Sequence, residues 1–162
     1  MLTGTGRGGW LIALSFLVAF FLTVFPLPME VRWTRPDWSA LVLIYWVLAL
    51  PQRVGIVVAF VVGLCVDLLE GTMLGQHALA LSVVAYLTLV LYQRLRQFNM
   101  LQQVFIVFVM VGVSQLTSQW LQSLLGVGSI SPLFLVPAML SALLWPATLL
   151  LLRRLRRSYG VQ

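Results

Sequence analysis

Asp67, Glu70 and His77, with the amide of Gln76 beside them, bring two of the four acids and the single histidine within eleven residues. Two carboxylates and an imidazole could move protons, hold a cation or bind a polar partner. The rest of the inventory narrows those options. Glu30 and Asp37 are the remaining acids, His77 is the single histidine and Cys65 the single cysteine. Cys65 lies inside an apolar run, on the opposite side of any plausible constellation, so no catalytic triad assembles. No His/Cys/Asp spacing suits zinc, and there is no glycine-rich phosphate loop. A lone thiol forms no intrachain disulfide. The sequence therefore predicts no enzyme, no catalytic residue, no metal site and no cofactor.

Two further sets of residues have meaningful spacing. Gln115, Ser118, Gln119 and Gln122 fall at i, i+3, i+4 and i+7, which places them on one helix face. They predict either a polar cluster or shallow hydrated cavity, or ordinary interhelical hydrogen bonds of about 0.6 kcal/mol each. Gly55, Ala59 and Gly63 repeat small residues every fourth position, a stripe that lets another helix pack closely. Asp67 has three readings: a helix cap or ion-pair partner, a ligand or ion site, or a contact for another protein.

The elements that must position these residues are apolar helices. Hydrophobic residues make up 61% of the 162 and charged residues 9%, against roughly 25% charged in a soluble domain. Long apolar runs predict six transmembrane helices, at about 10–25, 36–50, 54–69, 76–92, 101–125 and 132–152, in a single transmembrane domain covering 1–162. The second run is short, thirteen residues from Trp38 to Leu50. Between the third and fourth spans, Gly71 and Gly75 suit a tight turn. The runs are continuously apolar, so they do not read as the alternating strands of a barrel. The run after Arg7 ends at Phe25-Pro26 without a small-residue cleavage pattern, and it reads as a first span rather than a cleaved signal.

The formal charge of +6 is the balance of ten arginines against four acids. The arginines cluster between apolar runs, not in aromatic-interleaved surface stretches, which argues against nucleic-acid binding. With six spans and both termini in the cytoplasm (N-in/C-in), Arg7, Arg53, Arg94, Arg96, Arg153, Arg154, Arg156 and Arg157 fall inside. Only Arg32 and Arg35 fall outside, with Glu30, Asp37 and Glu70. The positive-inside rule favours that orientation. The terminal Arg153, Arg154, Arg156 and Arg157 would contact anionic lipid headgroups.

Several segments carry a family resemblance. Arg35-Pro36-Asp37-Trp38, the stretch from Tyr45 through Pro51-Gln52-Arg53-Val54-Gly55, and Gly63 through Asp67-Leu68-Leu69-Glu70-Gly71-Thr72-Met73-Leu74-Gly75-Gln76-His77-Ala78-Leu79 resemble the MreD family of rod shape-determining proteins from Gram-negative rods. The Trp145-Pro146 pair and the arginine-rich tail are similar too, so the resemblance covers essentially the whole chain. It implies a non-enzymatic scaffold in the bacterial inner membrane, a subunit of the elongation complex that supports lateral peptidoglycan synthesis and cell shape. The implied direct partner is MreC, with MreB, RodA and its penicillin-binding transpeptidase in the same complex. The implied fold resembles the six-helix substrate-binding component of energy-coupling-factor transporters, which binds ligand from outside. Arg35, Asp37, Asp67, Glu70 and His77 would then form an outer rim that docks MreC. A small-molecule binding or transport component with an outward-facing polar site is the alternative. The Ala-x-x-x-Ala docking motif of those transporter components is missing from the first span, where Leu17 follows Ala13 at i+4 and only Ser15/Ala19 has small spacing. That departure counts against the alternative.

Overall fold

The computed structural model describes residues 9–26, 28, 36–71, 73–126 and 135–159. Among the described residues there are six α-helices and no strand: α1 Gly9–Val24, α2 Trp38–Ala49, α3 Ile56–Glu70, α4 Gln76–Gln97, α5 Met100–Leu124 and α6 Leu135–Tyr159. Arg7, Glu30, Arg32, Arg35 and Pro132 lie outside the described residues. Helices α4, α5 and α6 are each long and apolar enough to cross a membrane, while α1 and α2 are shorter apolar helices. Large apolar side chains also cover the outside. Leu101 is 84% exposed, Val57 77% and Leu68 70%. A surface of this kind belongs in hydrocarbon, since soluble proteins rarely expose continuous apolar patches beyond a few hundred Å².

The bundle is built around α2. Every residue from Ser39 to Leu48 is buried, as expected of a helix that is apolar on all sides. The Asp37 carboxylate starts α2 by accepting the Ala40 N–H at 3.2 Å; Pro51 follows its last turn. Neighbouring helices hold α2 by polar contacts at several heights. The Trp46 indole N–H donates to the Ser15 hydroxyl of α1 at 2.7 Å, and the Asp37 backbone N–H donates to the Ser141 hydroxyl of α6 at 2.8 Å. Arg96, near the end of α4, donates from Nε to the Leu48 carbonyl at 3.0 Å and from its guanidinium to the Ala49 carbonyl at 3.3 Å. It thus satisfies acceptors that a helix C-terminus leaves open.

Helices α3 and α4 form a tight hairpin. A Cβ built on Gly63 would stand 2.3 Å from the Ala78 Cα, so only glycine permits this approach. The turn between them uses Gly71 at φ 69° and Gly75 at φ 102°. In α5, the Asn99 side chain bonds the backbone of Gln102 while the Gln102 side chain bonds that of Asn99, a capping box. Indole Nε1 of Trp145 donates to Gln103 Oε1 at 3.3 Å, joining α6 to α5.

The helices do not stop where the apolar runs do. Helix α4 continues through Arg94 and Arg96, and α6 through Arg153 to Arg157. Arginine is a good helix former, and cations are favoured in a helix's last turn. Nothing in either sequence breaks the helix there.

These contacts sort the charges by end. The start of α1 meets the end of α6 through Trp10 and Tyr159, and the ends of α2 and α4 meet through Arg96. All the described arginines therefore lie at one end, and the described acids, Asp37, Asp67 and Glu70, lie at the other.

Candidate functional site at the acidic end

Asp67, in the last turn of α3, is fully buried and is bonded inside the protein. The N-cap position of α4 is Gly75, which has no side chain to bond the first N–H groups. Asp67 supplies the missing acceptor from the neighbouring helix. Its Oδ2 accepts the Gly75 N–H at 2.9 Å and its Oδ1 the His77 N–H at 3.0 Å. The positive end of the α4 dipole favours a carboxylate there. Nδ1 of His77 is 2.8 Å from the same Oδ1, and Nε2 is 3.4 Å from Glu70 Oε2. Glu70 is three residues after Asp67, one turn along the same helix, so a single imidazole bridges both carboxylates.

Beside this strap is a cavity of about 680 Å³ to which all six helices or their ends contribute: Thr23, Asp37, Ser39, Glu70, His77, Gln115 and Pro137 are on its wall. Its lining mixes acids, hydroxyl and amide groups with prolines. Asp37 is held by its cap to α2 and by the bond its backbone N–H donates to Ser141. Ser39 is 2% exposed, and its hydroxyl has no hydrogen-bond partner among the described residues. Gln119 Oε1 is in the same condition.

The residues singled out from the sequence separate as follows. Asp37, Glu70 and His77 meet at the cavity wall, while Asp67 is buried behind His77. On α5, Gln115 lines the cavity, Ser118 is buried, and Gln119 and Gln122 are half-buried. Gly63 makes the close approach to α4, Ala59 is buried, and Gly55 caps α3 with open space around it. At the opposite end, Arg153, Arg154 and Arg157 are exposed and Arg156 is half-buried against the Tyr45 hydroxyl.

Ser39, Ser141 and Arg96 were not singled out from sequence. Ser39 directly after Asp37-Trp38 reads as an ordinary first-turn residue. Arg96 reads as a topology charge, and nothing local indicates that it reaches the end of α2.

Chemically, the arrangement suits binding and bracing better than bond making. Both imidazole nitrogens face carboxylates, so neither is turned to the Ser39 hydroxyl as a base would be. Among the described residues, no three His, Cys, Asp or Glu side chains are grouped to hold a metal ion.

Comparison with known proteins gives two matches. The family model described as rod shape-determining protein MreD matches residues 6–155. The rod shape-determining protein MreD of Haemophilus influenzae is 38% identical over 149 residues, which is 91% of this chain and 92% of that protein. No solved structure matches the chain.

Proposed function

The chain belongs to the MreD family of rod shape-determining proteins, and from that premise we propose that it is a non-enzymatic scaffold of the elongation complex in the bacterial inner membrane. It spans the bilayer six times with both termini in the cytoplasm, in an arrangement resembling the substrate-binding component of energy-coupling-factor transporters. It binds MreC directly and works in one complex with MreB, RodA and the penicillin-binding transpeptidase, supporting lateral peptidoglycan synthesis.

The observation that carries this reading is the sorting of charge. Arginines collect at one end, as the cytoplasmic side of a membrane protein requires, and acids with His77 collect around a hollow at the other. A bundle whose outer surface is largely apolar has few places where a partner can find polar specificity. This hollow end is one, open to a juxtamembrane segment of a single-span partner such as MreC. Glu70 and His77 form its polar rim, with Asp67 acting through His77.

The test is co-purification of tagged protein with MreC from membranes. Glu70→Lys combined with Arg35→Glu should reduce recovered MreC several-fold, while Arg156→Gln with Arg157→Gln should leave it unchanged. The reverse pattern would place the interface at the arginine end and sink the proposal.

One observation favours a second reading, a small-molecule binding component. The hollow falls within the ~300–1,000 Å³ of ligand pockets, and the Ser39 hydroxyl on its wall has no partner among the described residues. A metabolite that co-purifies and is lost on Ser39→Leu would favour that reading over the scaffold.

A further inference from the structure

We propose that the crevice between α1 and α6 binds one acyl chain of an anionic phospholipid, whose phosphate is held by arginines at the C-terminal end of α6. The proposal rests on the membrane-embedded reading above. It does not depend on which face of the membrane carries the arginines.

The two helices touch at the arginine end, where the Trp10 ring packs edge-on against Tyr159 with centroids 5.1 Å apart. Away from that contact a crevice of about 260 Å³ separates them. Leu14 and Val18 form one wall, Leu144 and Leu151 the other, and Trp38 and Val42 of α2 lie beneath. Its two hydroxyls are already bonded: Ser15 donates to the Ile12 carbonyl and accepts from Trp46, and Thr148 donates to the Leu144 carbonyl. Water would find almost no partner there, whereas hydrocarbon needs none.

Shape and charge select the occupant. The crevice is a narrow, almost wholly apolar slot between two helices, a shape that a single flexible hydrocarbon chain can follow over part of its length. Arg154 is three residues after Leu151 and seven after Ala147, both crevice residues, so it is on their side of α6. Arg157 follows one turn later, and both are exposed. No acid among the described residues lies at this end. An apolar slot ending in guanidinium groups complements a lipid with a buried tail and a phosphate at the interface.

The experiment is native mass spectrometry of the full-length protein released from nanodiscs of palmitoyl-oleoyl phosphatidylglycerol or of the matching phosphatidylcholine. We expect one phosphatidylglycerol retained per chain and little phosphatidylcholine. Arg154→Gln with Arg157→Gln should lower retention about tenfold. Ala147→Phe, which fills the crevice from an exposed position, should abolish retention at unchanged helicity by circular dichroism.

Equal retention of both lipids, or full retention by Ala147→Phe, would overturn the proposal. So would loss of a co-purifying protein from Ala147→Phe while its lipid stays. A measurement on the unaltered protein guards against misfolding of variants: phosphatidylglycerol with a diazirine in its acyl chain should crosslink to residues 14–18 and 144–151. Crosslinks spread evenly over the exposed face of α5 would count against the site. Recovery of the protein from the soluble fraction without detergent would instead overturn the membrane reading on which the site depends.

Discussion

The Asp67 carboxylate illustrates how a residue can look like a site and be a brace. Three donors converge on it: two backbone N–H groups of the α4 first turn and the His77 ring. Asparagine retains one acceptor oxygen, whereas leucine leaves every donor buried without a partner. Asp67→Asn should therefore cost about 1–2 kcal/mol of stability and Asp67→Leu about 3 kcal/mol or more. Thermal unfolding in detergent reads both, and equal losses would show that the charge, not the hydrogen bonds, is what counts. Ser39 presents the opposite case. Its hydroxyl is buried without a partner among the described residues, so Ser39→Ala should be neutral or stabilising by up to about 1 kcal/mol. A drop in melting temperature would reveal a partner for that hydroxyl in the membrane.

Among the elements, the α3–α4 hairpin makes the sharpest demand on sequence. Gly63→Ala sets a methyl against the backbone of Ala78, which no rotamer change relieves. It should destabilise by about 1–3 kcal/mol, the ordinary cost of overpacking. Gly112→Ala, where nothing lies within 4 Å, should stabilise α5 by roughly 0.5–1 kcal/mol. The pair, compared by the same unfolding assay, separates packing from helix propensity. Arg96 is exposed, so Arg96→Gln should cost only about 0.5–1 kcal/mol through the bonds it donates to the end of α2.

Much of this level was legible in sequence. The apolar runs locate the helices, and Glu70-Gly71 through Gly75 announces a turn that the structure builds with two positive-φ glycines. The place of α2 at the centre was not legible. In a soluble helix a polar face points outward, but α2 is apolar nearly all round, so periodicity gives it no direction. Its shortness was the one clue, since twelve residues reach only about 18 Å. The role of Asp67 was hidden for another reason: it caps a helix to which it does not belong, and sequence-based capping rules look only at the helix's own first residues.

At the scale of the whole molecule, the orientation proposed from the separation of arginines and acids can be read by chemical labelling. In a Cys65→Ser background, Leu74→Cys should react with a membrane-impermeant thiol reagent from the periplasmic side. Gln52→Cys and Gln97→Cys should react only after the membrane is opened. Labelling of position 97 in intact cells would refute the six-span orientation. The exposed leucines, valines and phenylalanines that make the outer surface should also render the protein insoluble without detergent, whichever way it faces.

Helix α4 joins the two ends of the molecule directly. Its 22 residues, Gln76 to Gln97, contain neither glycine nor proline, and at 1.5 Å per residue they extend about 33 Å. One tip is clamped to α3 by Asp67 and His77, and the other grips α2 through Arg96. Such a rod has no hinge in which to bend. A displacement of the His77 tip would then pass to the Arg96 tip as tilt or axial shift of α4 rather than being absorbed by a bend.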